Sequence, residues 1–146
     1  MRDREVWRLR IVPAATLVAV AALALVPLAT GEGCLPFCEV PSHTTGGFVP
    51  PVTLVGAGST LTWTSLDTLP HTASATTLDL CLHVTYSKTS PGSARFDILD
   101  GTLVVTMPGM EPKVCTGAEA LPDRSLRLDY VCFYHPNTMN GTLLVK

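Results

Sequence analysis

Charge is scarce in this chain. Asp, Glu, Lys and Arg together make up 15% of its 146 residues, whereas 47% are hydrophobic. That balance excludes a disordered polar tail, which combines low hydrophobicity with high charge. There is no basic surplus either, and a net charge of -2 argues against a nucleic-acid-binding face, which neutralises phosphates with clustered Lys and Arg. Aromatic residues are few (6%), and there are only four His. No G-x-S-x-G, H-E-x-x-H or P-loop pattern occurs, and there is no internal repeat, so the common hydrolase and nucleotide-binding signatures are missing.

The one basic cluster is N-terminal. Arg2, Arg4, Arg8 and Arg10 precede the uncharged run Ile11 to Ala29. This predicts a signal peptide or membrane anchor over residues 1–31. The run is longer than the about 7 to 15 residues of a signal-peptide core and close to the ~20 that span a bilayer. Cleavage after Gly31 fits the small-residue rule through Ala29 and Gly31, residues 11–29 are the membrane tether if the leader is retained, and Gly31-Glu32-Gly33 is a poor lipidation context for Cys34. In each version the arginines stay inside and the rest is exported, periplasmic or extracellular. Residues 32–51, with Pro36, Pro41, Pro50, Pro51 and Gly46-Gly47, read as a Pro/Gly-rich linker. Residues 52–146 then form one small domain.

Within 52–146 the hydrophobic pattern has period two. Expected strands are Val52 to Val55, Ser59 to Thr64, Leu78 to Tyr86, Thr102 to Met107, Ser125 to Cys132 and Gly141 to Val145. In the third of these, Leu78, Leu80, Leu82, Val84 and Tyr86 share the expected core face. No segment after the leader has a convincing amphipathic helical pattern, and Thr116 to Leu121 offers at most a short turn. Short strands at this spacing predict an all-β sandwich or barrel. Asn140-Gly141-Thr142 matches a glycosylation sequon, but Asn-Gly is expected as a turn.

Chemistry concentrates near the C-terminus, in Tyr130-Val131-Cys132-Phe133-Tyr134-His135-Pro136-Asn137-Thr138-Met139. A thiol, an imidazole and a thioether lie within eight residues between two expected strands. Soft sulfur plus imidazole suits copper, and His2Cys with a weak axial Met defines a blue-copper electron-transfer site. The second His stands far upstream, in Trp63-Thr64-Ser65-Leu66-Asp67-Thr68-Leu69-Pro70-His71. Taken singly, a strand Cys or a lone Met is more often core filler; it is the joint pattern that points to a metal.

These two segments resemble the copper sites of the plastocyanin, amicyanin and pseudoazurin group of cupredoxins. That group runs V-x-W-x-N-x-D-x-x-x-H before the first ligand and Y-x-Y-x-C-x-x-H-P-x-M-x-G-x-V near the end. Trp63, Asp67, Pro70, His71, Tyr130, Cys132, His135, Pro136, Met139 and Gly141 fill the corresponding places, and the similarity covers about Val52 to Lys146. The resemblance implies an eight-strand Greek-key β-sandwich binding one copper ion through His71, Cys132, His135 and Met139. It also implies an electron exit at His135 within an apolar patch of Phe133, Tyr134, Pro136 and Met139. Two departures stand out. Three residues separate His135 from Met139, between the amicyanin and plastocyanin spacings, and Pro108 to Arg124 is an insertion carrying Cys115.

With Cys132 held as a metal thiolate, the other four cysteines form an even set that permits three pairings in an oxidising compartment. Cys81 with Cys115 and Cys34 with Cys38 are the favoured pairs. His43 and His83 are expected to be structural or exposed. Although Cys34-x3-Cys38-x4-His43 approaches a dinuclear copper loop, it sits in the expected tether. The leading expectation is a monomeric extracytoplasmic electron carrier serving redox partner proteins, without nucleic acid. A copper-binding or chaperone module without redox turnover is the alternative. An enzyme is not expected, because multicopper oxidases and copper nitrite reductases need further His clusters.

Overall fold

The computed structural model describes residues 33–146. The signal or anchor expected over 1–31 lies outside the described residues. Among the described residues no helix is long and apolar enough to cross a membrane.

Among the described residues twelve strands follow one another: β1 (Phe37–His43), β2 (Gly47–Phe48), β3 (Val52–Val55), β4 (Ser59–Ser65), β5 (His71–Ala75), β6 (His83–Tyr86), β7 (Gly92–Leu99), β8 (Thr102–Thr106), β9 (Lys113–Val114), β10 (Glu119–Ala120), β11 (Leu126–Val131) and β12 (Asn140–Val145). One sheet has the order β2-β1-β4-β7-β8-β9. The other runs β3-β12-β11-β5-β6, with β10 also paired to β11. The chain crosses between sheets repeatedly, so neighbours such as β11 and β5 are distant in sequence, as in a Greek-key sandwich. Twelve strands replace the eight expected, partly because three are two-residue pairings at the margins.

Alternation explains the layers. In β4, Leu61 and Trp63 are buried while Thr60, Thr62 and Thr64 are half-buried; in β11, Leu126, Leu128 and Tyr130 are buried between half-buried Arg127, Asp129 and Val131. Trp63 stands at the centre of the core, its ring 6.3 Å from Phe96 and 5.9 Å from Tyr130, which in turn lies 4.5 Å from Phe48. Full burial of side chains of this kind stabilises the fold by roughly 1.5–3 kcal/mol each.

Three expectations need correction. The first concerns residues 32–51, which were expected to form a linker. Part of that stretch is β1 and β2: β1 runs parallel to β4 from Phe37 opposite Thr60 to Ser42 opposite Ser65, and Cys38, Val40 and Phe48 are buried in the core. Proline did not prevent this, because β2 pairs only Ser42 and His43. The rest of β1 is therefore an edge, where a missing N–H is tolerated.

The second concerns Leu78 to Tyr86, where only His83–Tyr86 is strand. Leu78 is fully exposed and Leu80 has a left-handed φ of 45°. Local bonds outweigh the Leu periodicity: Asp79 accepts from the Cys81 N–H at 3.2 Å and from the Thr77 hydroxyl at 2.5 Å. The third concerns Asn140-Gly141, which opens β12 opposite Val131 and Tyr130 rather than forming a turn.

Cys81 is bonded to Cys115 and Cys34 to Cys38, with Cα separations of 5.2 and 5.7 Å. The first bridge fastens the Pro108 to Arg124 insertion, and Asp79 reinforces it by accepting from both the N–H and the hydroxyl of Thr116 at 2.6 and 2.8 Å. Within that insertion Thr116 to Leu121, expected as at most a short turn, includes β10.

Candidate metal centre

Two connections build the site at one end of the sandwich. His71 opens β5 and is fully buried. Cys132, His135 and Met139 lie on the loop from β11 to β12. That loop closes on itself: the Cys132 N–H donates to the Met139 carbonyl (3.0 Å), the His135 N–H to the Cys132 carbonyl (3.1 Å) and the Met139 N–H to the His135 carbonyl (2.9 Å). Backbone bonding thus presents Cys132 and His135 to the same space, with Cys132 and Met139 fully buried and His135 half-buried.

The Cys132 sulfur lies 3.8 Å from His71 Nδ1 and 3.6 Å from His135 Nδ1. These three donor atoms all fall within 4.8 Å of one another, and the ring centroids of the two His are 5.2 Å apart. Such separations are long for hydrogen bonds. They match an ion enclosed by the three: nitrogen and sulfur ligands bind a first-row metal at about 2.0–2.3 Å, which places trigonal donors roughly 3.7 Å apart. Cys132 is the free cysteine among the described residues. With two imidazoles beside a thiolate, the donor set suits copper rather than hard cations, and the group can hold a single copper ion.

Neighbouring residues hold these donors in place. The Thr72 N–H donates to the Cys132 sulfur at 3.3 Å, and the Thr72 hydroxyl accepts from the Phe133 N–H at 2.9 Å. His71 Nε2 is bonded to the Asp67 carboxylate at 2.8 Å. Burial pushes the Asp67 carboxyl up, but hydrogen bonds from the side chain and backbone of Thr44, from His71 and from the Leu69 N–H more than offset this and hold it well below the ordinary carboxylate range. Tyr86, 5.8 Å from the His71 ring, is bonded to Ser42 at 2.6 Å, and burial pushes its phenol up, so it remains neutral.

Of the residues expected to form an electron-exit patch, Phe133, Tyr134 and Pro136 are exposed on the loop and His135 is half-buried, whereas Met139 is fully buried and is not part of the surface. His83 lies beside the patch, its ring 5.4 Å from Phe133 and its Nδ1 2.8 Å from the Ser74 hydroxyl. His43 caps a local turn by accepting from the Gly46 N–H at 2.9 Å. Because Cys34 and Cys38 are joined, they offer no thiolate to a second metal.

Sequence reasoning assigned no role to Thr44, Gly47 or Thr72, and noted Asp67 only as a shared position. Gly47 has φ 70°, and a Cβ there would lie 2.9 Å from the Thr138 carbonyl oxygen, so the β1–β2 turn packs directly on the ligand loop. The available signals were the Gly46-Gly47 pair and the alternation Cys38, Val40, Ser42 upstream of it.

No family model matches the chain, and no curated protein does. Solved structures of amicyanin are similar to it. A reduced proline-to-phenylalanine variant shares 20% identity over 75% of this chain and 81% of that one, with a TM-score of 0.46. For the Cu(I) form at pH 4 of a proline-to-glycine variant the values are 19%, 79%, 87% and 0.47. A reduced tryptophan-to-tyrosine variant gives 19%, 79%, 87% and 0.48.

Proposed function

We propose that the protein is an extracytoplasmic electron carrier of the cupredoxin type, in which His71, Cys132, His135 and Met139 would hold one copper ion. The convergence of His71 Nδ1, Cys132 Sγ and His135 Nδ1 carries the reading. Copper in such a site supplies one-electron exchange between Cu(I) and Cu(II). The chain's own residues do the rest. The Thr72 N–H stabilises negative charge on the Cys132 sulfur, the closed β11–β12 loop fixes the spacing of its ligands, and the buried walls keep out water.

His135 is half-buried among exposed Phe133, Tyr134 and Pro136, which makes its imidazole the shortest way in or out for an electron. A redox protein with an apolar face is the matching partner, and the carrier acts as a monomer. The two disulfides support export to an oxidising compartment, with the leader as signal or tether. Full burial of Cys132 and Met139 favours a carrier over a copper chaperone, whose exchangeable cargo needs open donors.

Copper loading tests this. Cu(II) should give an intense visible thiolate band that bleaches on reduction and returns on oxidation. A colourless site that accepts only Cu(I) would mean a chaperone instead.

A further inference from the structure

We propose that Asp67 is a positioning residue for the metal centre: its carboxylate fixes His71 as the Nε2–H tautomer, which leaves Nδ1 free to bind metal, and its charge favours the oxidised ion. The second half of this rests on the copper reading above; the first half does not.

The bonding around Asp67 leads to this assignment. An ionised carboxylate only accepts hydrogen bonds, so the 2.8 Å contact from Oδ1 to His71 Nε2 puts the ring proton on Nε2. In a neutral imidazole the lone pair then lies on Nδ1, the atom that faces the Cys132 sulfur at 3.8 Å. Asp67 is itself held rigidly. Oδ1 also accepts from the Ser65 hydroxyl at 3.1 Å and the Leu69 N–H at 3.0 Å, and Oδ2 accepts from the Thr44 N–H at 2.9 Å and the Thr44 hydroxyl at 2.7 Å.

His71 has no solvent exposure and the Asp67 side chain has 28%, so the charge next to the ring is only partly screened. His135 has no such partner: among the described residues no carboxylate bonds to it. The two imidazoles are therefore unequal, one clamped and negatively biased, the other open to the surface. A carboxylate behind a metal-binding His raises the basicity of the ligand and orients it. The competing explanation is a structural one, in which Asp67 only staples the loop before His71 to the turn at Thr44.

Three variants separate these explanations. In metal-free protein, 15N chemical shifts of His71 should report a single Nε2–H tautomer, and Asp67→Ala should convert it to a mixture. Copper(II) affinity of Asp67→Ala should fall about 10- to 100-fold. Asp67→Asn, which keeps the shape and removes the charge, should raise the reduction potential. Thr44→Val, which cuts one strap and leaves the His71 contact, should move neither tautomer nor potential.

An unchanged tautomer in Asp67→Ala would overturn the proposal, as would an unchanged potential in Asp67→Asn. Equal shifts in Thr44→Val would reduce Asp67 to a staple and overturn it as well. Should Asp67→Ala not fold, Asp67→Asn and Thr44→Val still decide the question. A wild-type protein without a visible copper band but with an Asp67-dependent tautomer would sink the carrier reading and support the positioning role.

Discussion

The backbone N–H of Thr72 donates to the sulfur of Cys132 across 3.3 Å, joining the start of β5 to the end of β11. The bond ties the two chain segments of the metal centre together through the backbone of β5. Cys132→Ser should keep that acceptor as an oxygen. The expected result is a folded protein whose stability, measured by denaturant titration, changes on the order of 1 kcal/mol, with complete loss of the visible band in copper(II). A blue serine variant would show that Cys132 is not the ligand.

Cysteine bookkeeping gives a second test. Alkylating the denatured protein without reductant should modify Cys132 alone and leave four cysteines protected, as read by intact mass. Removing Cys81 and Cys115 together should cost roughly 3 to 4 kcal/mol, because that bridge closes a loop of 34 residues' separation, whereas removing Cys34 and Cys38 should cost about 2 kcal/mol. Similar losses for the two pairs would contradict the loop-length account.

Asp79 should make stability depend on acid. Burial pushes its carboxyl up, but bonds from Thr77, Thr116 and the Cys81 N–H outweigh this and lower it below the ordinary value of 3.8. A depressed native value stabilises the fold above the unfolded value and loses that contribution as pH falls through the native one. Asp79→Asn should therefore be less stable than wild type at neutral pH, and the gap should narrow as pH drops below about 4. A gap that is constant from pH 7 to pH 2 would remove Asp79 from this role.

The axial position is tested by Met139→Gln. A harder amide oxygen prefers the oxidised ion, so the potential measured by voltammetry should fall and the spectrum should shift. Met107 is buried elsewhere, its sulfur accepting from the His83 N–H at 3.3 Å, and Met107→Leu should leave both observables nearly unchanged. The opposite pattern would move the axial role away from Met139.

Gly47→Ala places a side chain at a left-handed φ and against the Thr138 carbonyl. The backbone conformation alone costs roughly 1–2 kcal/mol, and the clash disturbs the ligand loop as well. A lower melting temperature together with a shifted copper spectrum is expected, and a neutral result would detach the β1–β2 turn from the site.

The ligand loop was legible because its chemistry is local: Cys132, His135 and Met139 carry recognisable spacing within eight residues. His71 was legible from its place after the Trp63 strand. What escaped was non-local or masked by small residues. β1 was hidden by Pro36 and Pro41, and its partner β4 begins some twenty residues later in a parallel pairing that no turn signals. β5 reads His-Thr-Ala-Ser-Ala and is buried at every position, so it shows no alternation. β7 turns Gly92, Ala94 and Phe96 inward, a pattern weak in large apolar residues. The strongest alternation, Leu78 to Tyr86, misled in its first half because the hydrogen bonds of Asp79 and the Cys81 bridge bend the chain there. Asp67 lay in a noted motif, but its partner Thr44 comes close only through the packing of β1 beside β4.

That parallel pairing also joins the two ends of the sandwich. The chain enters at Cys34, whose N–H donates to the Leu54 carbonyl at 3.1 Å and whose carbonyl accepts from the Ser59 hydroxyl at 3.1 Å, at the end of the sandwich where β4 begins. β1 then climbs alongside β4 toward the loop that carries Asp67 and His71. Its seven residues at about 3.3 Å each form a stiff mast of roughly 20 Å. The Cys34–Cys38 bridge and the Asp67 loop therefore stand at opposite ends of one strand, linked by a continuous run of backbone.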